Sequence, residues 1–302
     1  MLILFTMILL AACSDTSSSE TGDSLHRLTY TSAATGEDRD YFVWLPHGYE
    51  ADADKEWPVL MFLHGNGERG NARDELDFVL IHGPLYEAWV QRRELPFVIV
   101  SPQLPMYRMA ERPGMANRDR SIIPSRLHQG TPARPTPRPP AIPMSGVAAS
   151  ASQPFSVEGP PDGWDLLAGD LLDILDQVQQ TYRTDANRVY LTGLSYGGFG
   201  TWYMASQFPE RFAAVAPVVG YGHPDMAGPI ARAGLPVWCF AGGRDTVVPA
   251  EYFYAVMNSL EAQGHREALL TMHEHEGHDA WIRIYGGQDL YHWFLSHTRR
   301  FP

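Results

Sequence analysis

The sequence predicts a doubly wound α/β domain: a mostly parallel sheet with helices on both faces and an antiparallel hairpin at its N-terminal edge. Three observations carry this expectation. Six short apolar runs, each closing on Gly, Ser or Pro, recur between Pro58 and Gly277. Amphipathic stretches with helical spacing lie between several of them. One run, RVYLTG from Arg188, passes through a serine flanked by glycines straight into another helical stretch.

Taken in chain order, LTYTSAATGEDRD followed by YFVWLP (Tyr41 to Pro46) is rich in strand formers around a turn, which is the pattern of an edge hairpin. The six runs then follow as PVLMFLHG from Pro58, FVIVSP from Phe97, RVYLTG from Arg188, AAVAPVVG from Ala213, PVWCFAGG from Pro236 and ALLTMHEHEG from Ala268. Their hydrophobicity is continuous rather than alternating, as in strands buried on both faces. Between them, WDLLAGDLLDILDQVQQTY from Trp164 sets Leu167, Leu171, Ile174, Leu175 and Val178 at helical spacing, with its acidic residues early, where the helix dipole favours them. Further helices are expected after GLSYGG, after VVPAEYF and in QDLYHWFLSH. In such sheets, sites gather at the carboxyl ends of the strands.

The chain has 302 residues, 44% hydrophobic and 12% aromatic, which suits one large core. A net charge of -12 excludes a nucleic-acid partner, because phosphate binding needs a basic face. The opening MLILFTMILLAAC is apolar but shorter than a membrane-spanning helix requires. It reads as an export signal over 1–13, although Lys or Arg near Met1 is missing. Its end, Leu10-Ala11-Ala12-Cys13, resembles the bacterial lipobox, in which the cysteine becomes the acylated N-terminus. The expectation is an exported lipoprotein held to a membrane by acyl chains on Cys13, which mass measurement of the mature N-terminus checks. The polar stretch 14–27 is expected to be a flexible tether and 28–302 the folded domain. Cys239, within PVWCF, is then left without a disulfide partner and reads as a buried, inert thiol.

The region 106–161 departs from this plan. It is irregular, rich in proline and locally basic, and is expected to be an exposed, solvated loop, with a lid or a binding arm as the sharper alternative.

The strongest chemical signal is LTGLSYGGFGTW, Leu191 to Trp202, in which Gly193-Leu194-Ser195-Tyr196-Gly197 forms a GxSxG elbow between strand and helix. Such a bend strains the serine, needs glycine where backbones crowd, and lifts the hydroxyl to the amino end of a helix. A serine nucleophile needs a base, and the base an orienting acid, in the chain order Ser, Asp or Glu, His. Asp245 in AGGRDTVVP and His278 in HEHEGHDAW follow in that order; Asp225 and Asp279 are the other acids in view, and His275 the other base. If ALLTMHEHE continues as a strand, His273 and His275 share one face and Glu274 and Glu276 the other, so the run does not converge on a metal. The oxyanion hole is expected from the amide of Tyr196 with that of Asn66 or Gly67 in FLHGNGERGN. His64 reads as structural, and Glu68 and Arg69 as paired with each other. Trp164, Trp202, Trp281 and Tyr221 read as core before they read as a substrate pocket.

The segments FLHGNGERGN, SPQLP, RVYLTGLSYGGFGTW, FPERFAAVAPVVG, PVWCFAGGRDTVVP and GHDAW, in this order, closely resemble the α/β-hydrolase family of bacterial esterases often labelled predicted peptidases, related to feruloyl and acetylxylan esterases and to polyhydroxyalkanoate depolymerases. The resemblance runs from about Tyr41 to the C-terminus, and it puts the family's serine, aspartate and histidine on Ser195, Asp245 and His278. Two features depart from it: the inserted 106–161 region, and Tyr196 where methionine is more usual. The resemblance implies a serine carboxylic-ester hydrolase working through an acyl-enzyme without a cofactor, on a small or carbohydrate-linked ester. A serine peptidase of prolyl-oligopeptidase type is the alternative, and a non-catalytic lipid-anchored binding protein a third. No protein partner is evident from the sequence.

Overall fold

The computed structural model describes residues 22–115, 117–134 and 148–299. The expected export signal and Cys13 lie outside these residues.

Eight strands form one sheet in the order β1-β2-β4-β3-β5-β6-β7-β8. They are β1 (Ser24–Thr31), β2 (Asp38–Leu45), β3 (Trp57–Leu63), β4 (Val98–Ser101), β5 (Thr184–Leu194), β6 (Ala214–Val218), β7 (Val237–Gly242) and β8 (Ala268–His273). β1 and β2 make the antiparallel edge hairpin, β2 is also antiparallel to β4, and the remaining neighbours are parallel. Six of the strands are those expected from the apolar runs, because only a doubly covered sheet buries side chains of both parities.

The two faces have separate cores. On one, Val59, Met61 and Leu63 of β3 pack with Leu191 of β5 and with α2 (Ala168–Thr181), α3 (Tyr196–Gln207), α4 (Ala227–Ala233) and α5 (Phe253–Ala262). On the other, Leu60 and Phe62 meet α1 (Gly83–Leu85), α6 (Trp281–Gly286) and α7 (Asp289–Leu295). Leu171, Ile174, Leu175 and Val178 of α2 are all buried, as their spacing requires. Asp170, in the first turn of that helix, is buried too, and accepts from the Ser32 hydroxyl and the Ala33 amide.

Three expectations change. The tether reaches less far than residue 27, because β1 begins at Ser24 and Asp23 already accepts from Trp44 Nε1 at 2.9 Å. β8 stops at His273, the first residue of HEHEG, because its partner β7 ends opposite it at Gly242; beyond it the chain turns, with the Gly243 amide on His273 O and the Arg244 amide on Glu276 O. His273 and His275 therefore share no strand face. The 106–161 region is irregular, yet its described parts are seated on the body. The Arg118 guanidinium lies 3.9 Å from the Phe78 ring and that of Arg126 3.7 Å from the Trp89 ring. Main-chain bonds run from Leu127 to Val90, Arg134 to Gly286 and Ser150 to Glu251. Of the arginines in this basic stretch, Arg118, Arg120 and Arg126 lie over aromatic rings and pair with acids, and Arg108 pairs with Asp162, contacts that suit a planar guanidinium.

Candidate active site

β5 and α3 meet at Ser195, whose backbone has φ 51° and ψ -114°. This left-handed half of φ space is costly for any residue but glycine, so the surroundings must enforce it. The Ser195 amide donates to Val218 O at 2.9 Å, and its carbonyl accepts from Phe199 N at 3.1 Å. The glycines are sterically required. A methyl group on Gly197 would sit 1.8 Å from Leu63 O, and one on Gly193 2.3 Å from Gly197 O.

From this bend a hydrogen-bonded chain runs across the carboxyl edge of the sheet. Ser195 Oγ is 2.9 Å from His278 Nε2, and His278 Nδ1 is 2.7 Å from Asp245 Oδ2. Asp245 follows β7 and its side chain is fully buried; its other oxygen accepts the amides of Val247 at 2.8 Å and Val248 at 2.9 Å. With both carboxylate oxygens accepting, Nδ1 of the imidazole carries the proton given to Asp245. Nε2 is then left as acceptor for the serine hydroxyl. His278 stands just past Gly277, and Trp281 packs edge-on to its ring at 5.2 Å.

The other candidates lie elsewhere. His275 is exposed and meets Arg244 at 3.4 Å. Asp225 is exposed and paired with His223, and Asp279 is exposed beside His278. His273 is buried with its ring parallel to Phe240, and burial lowers its pKa. No group of three His, Cys, Asp or Glu among the described residues converges as metal ligands. Cys239 is buried, and that burial raises its thiol pKa, so it is a poor nucleophile. Trp164 and Trp202 belong to the core, whereas Trp281 touches the His278 ring.

The loop after β3 presses against the elbow, since a methyl group on Gly65 would lie 2.6 Å from Leu194 Cδ1. Asn66 opens a short turn, Asn66–Glu68, and Tyr196 is the first residue of α3, where amides have no intrahelical acceptor. Arg69 is not paired with Glu68. It is fully buried, donates from Nε to Asn66 Oδ1 at 2.6 Å and from Nη1 to Pro105 O at 2.8 Å, and lies 4.7 Å from the Tyr196 ring. It thus touches both residues expected to supply the oxyanion donors. Burial lowers its pKa to about 10. His64 lies beneath the loop, where burial drops its pKa to about 3; its neutral ring donates from Nδ1 to Gly65 O and accepts the Leu104 amide at Nε2. Glu68 faces His64 Nδ1 at 3.8 Å and His82 Nε2 at 3.7 Å, and burial raises its carboxyl to about 7. The role of Arg69 was within reach of the sequence, because it follows Asn66 by one helical turn. That of Trp281 was not, since only the turn after Gly277 brings it against His278.

Residues 165–228, which include the elbow, match the prolyl oligopeptidase family. A stretch of 93 residues is 32% identical to the bifunctional acetylxylan esterase/xylanase of Neocallimastix patriciarum, covering 30% of this chain and 13% of that protein. Another of 63 residues is 44% identical to feruloyl esterase B of Neurospora crassa, covering 20% of this chain and 22% of that protein. These matches therefore span less than a quarter of either relative. Over the whole fold, a thermostable esterase of known structure superposes with a TM-score of 0.59 at 23% identity, covering 91% of this chain and 63% of the other. The fold is that of the α/β-hydrolases.

Proposed function

We propose that the protein is a serine carboxylic-ester hydrolase that works through an acyl-enzyme. The observation that carries this is the chain of two hydrogen bonds, Ser195 to His278 at 2.9 Å and His278 to Asp245 at 2.7 Å, rising from a strained strand-to-helix bend. Ser195 Oγ attacks the ester carbonyl carbon while His278 Nε2 takes the hydroxyl proton. The carbonyl oxygen gains the negative charge, which the amides of Tyr196 and Asn66 stabilise. Collapse breaks the ester bond, and the leaving alcohol receives the proton from His278. Water, deprotonated by the same imidazole, then releases the acid and restores Ser195. Throughout, Asp245 holds the ring and offsets its transient positive charge.

Ester substrates are favoured by the kinship of both matched stretches to esterases, and a carbohydrate-linked ester fits the acetylxylan and feruloyl relatives. Ser195→Ala is expected to lower kcat on p-nitrophenyl acetate by several orders of magnitude, as loss of a serine nucleophile does elsewhere. Hydrolysis at the wild-type rate by that variant would refute the proposal. A peptidase reading is supported by the prolyl oligopeptidase match over residues 165–228. Turnover of proline-containing peptides faster than of p-nitrophenyl esters would favour it instead.

A further inference from the structure

We propose that the inserted region braces the oxyanion loop, with Arg118 as its positioning residue; this rests on the esterase reading above. An oxyanion hole works only when its amide donors stay aimed while charge develops, so something must hold the loop that carries them. Five carbonyl oxygens of residues 64–70 are held by side-chain donors. Trp164 Nε1 binds His64 O at 3.1 Å, His64 Nδ1 binds Gly65 O at 2.6 Å, and Arg118 Nη1 binds Gly67 O at 2.6 Å. Gln103 Nε2 binds Glu68 O at 2.8 Å, and Arg39 Nη2 binds Gly70 O at 3.2 Å. With carbonyls tied back into the protein, the peptide planes are fixed and amides of the loop are left for a ligand.

Of these five ties, Arg118 alone comes from the insertion, and it acts where the loop is weakest. Gly67 is free of side-chain packing, since a methyl group there would meet nothing within 4 Å. Glycine also has the widest backbone freedom, so this peptide is held by hydrogen bonding rather than by sterics. The tie is charge-assisted and therefore stronger than a neutral one. The guanidinium is itself seated: its side chain is 7% exposed, Nη2 meets Glu75 Oε1 at 3.0 Å, and its Cζ lies 3.9 Å from the centre of the Phe78 ring. Glu75 in turn accepts the Asn71 amide at 3.0 Å, just past the same loop. A segment that reads as a solvated loop thereby fixes the residue next to Asn66.

The test measures kcat, KM and the melting midpoint for wild type, Arg118→Met, Arg118→Lys and Ser195→Ala on p-nitrophenyl acetate. Arg118→Met is expected to lower kcat on the order of tenfold to a hundredfold with KM within about twofold, because a misaimed amide costs most once negative charge develops on the carbonyl oxygen. The lysine reaches Gly67 O or Glu75 but not both, so its kcat falls between those of methionine and wild type. Wild-type kcat in Arg118→Met overturns the brace. So does a joint fall of kcat, affinity and melting midpoint in which lysine is no better than methionine, because that pattern belongs to a merely structural contact. If Ser195→Ala is inactive while Arg118→Met is not impaired, only the brace is lost; if Ser195→Ala remains active, the esterase reading and the brace fail together.

Discussion

At the scale of single residues, Asp245 allows the sharpest expectation. Its Oδ1 accepts two main-chain amides, at 2.8 Å from Val247 and 2.9 Å from Val248, while Oδ2 takes the His278 proton. In Asp245→Asn the amide oxygen must stay with the two main-chain donors, because turning the amide around would set donor against donor. The new NH2 group then faces His278 Nδ1. A donor there makes Nδ1 the acceptor and moves the ring proton to Nε2, where the serine hydroxyl needs an acceptor. The variant keeps shape and packing but holds the wrong tautomer. Its kcat is expected to fall by roughly a thousandfold to ten-thousandfold with little change in KM, the magnitude such a tautomer error has in other serine hydrolases. A loss below about tenfold would show that His278 is not oriented through Asp245.

At the scale of elements, the bend at Ser195 was legible because its signal is local. Gly193 and Gly197 announce the bend, and their would-be methyl contacts with main-chain oxygens, 2.3 Å and 1.8 Å, are the physical content of that motif. Gly197→Ala is accordingly expected to prevent β3 and α3 from closing, since the clash is with backbone that cannot rotate away. The expected readout is loss of soluble, cooperatively unfolding protein, and a variant that folds with a wild-type melting midpoint would disprove the crowding. The end of β8 was less legible. ALLTMHEHE reads as one strand, but a strand lasts only as long as its neighbour, and β7 stops at Gly242. The seating of the insertion was not legible at all. Arg118 on Phe78 and Arg126 on Trp89 are contacts between residues far apart in the chain, and no spacing rule links them. Proline content and charge describe how a segment behaves alone, not what surface the fold presents to it.

At the scale of the whole molecule, the two-sided sheet was readable from continuous apolar runs, and one consequence of such deep burial concerns pH. Beneath the loop after β3 lie His64, lowered to about 3, and Glu68, raised to about 7, with His82 and Arg118 near the carboxylate. Their effects on stability have opposite sign. His64 binds its proton less well folded than unfolded, so stability is lost as pH falls below its ordinary 6.5 toward about 3. Glu68 binds its proton more tightly when folded. The stability it contributes is complete below its ordinary 4.5 and is lost as pH rises through about 7. Between the two ordinary values the slopes offset each other, which flattens the profile. Glu68→Gln keeps the shape and removes the ionisation, so it is expected to gain on wild type as pH rises from 5 to 8, by on the order of 3 kcal/mol at most. Urea midpoints of both proteins at the two pH values measure this. A difference between variant and wild type that is the same at pH 5 and pH 8 would mean that the carboxyl titrates in its ordinary range, and that the floor of the loop is wetter than its burial implies.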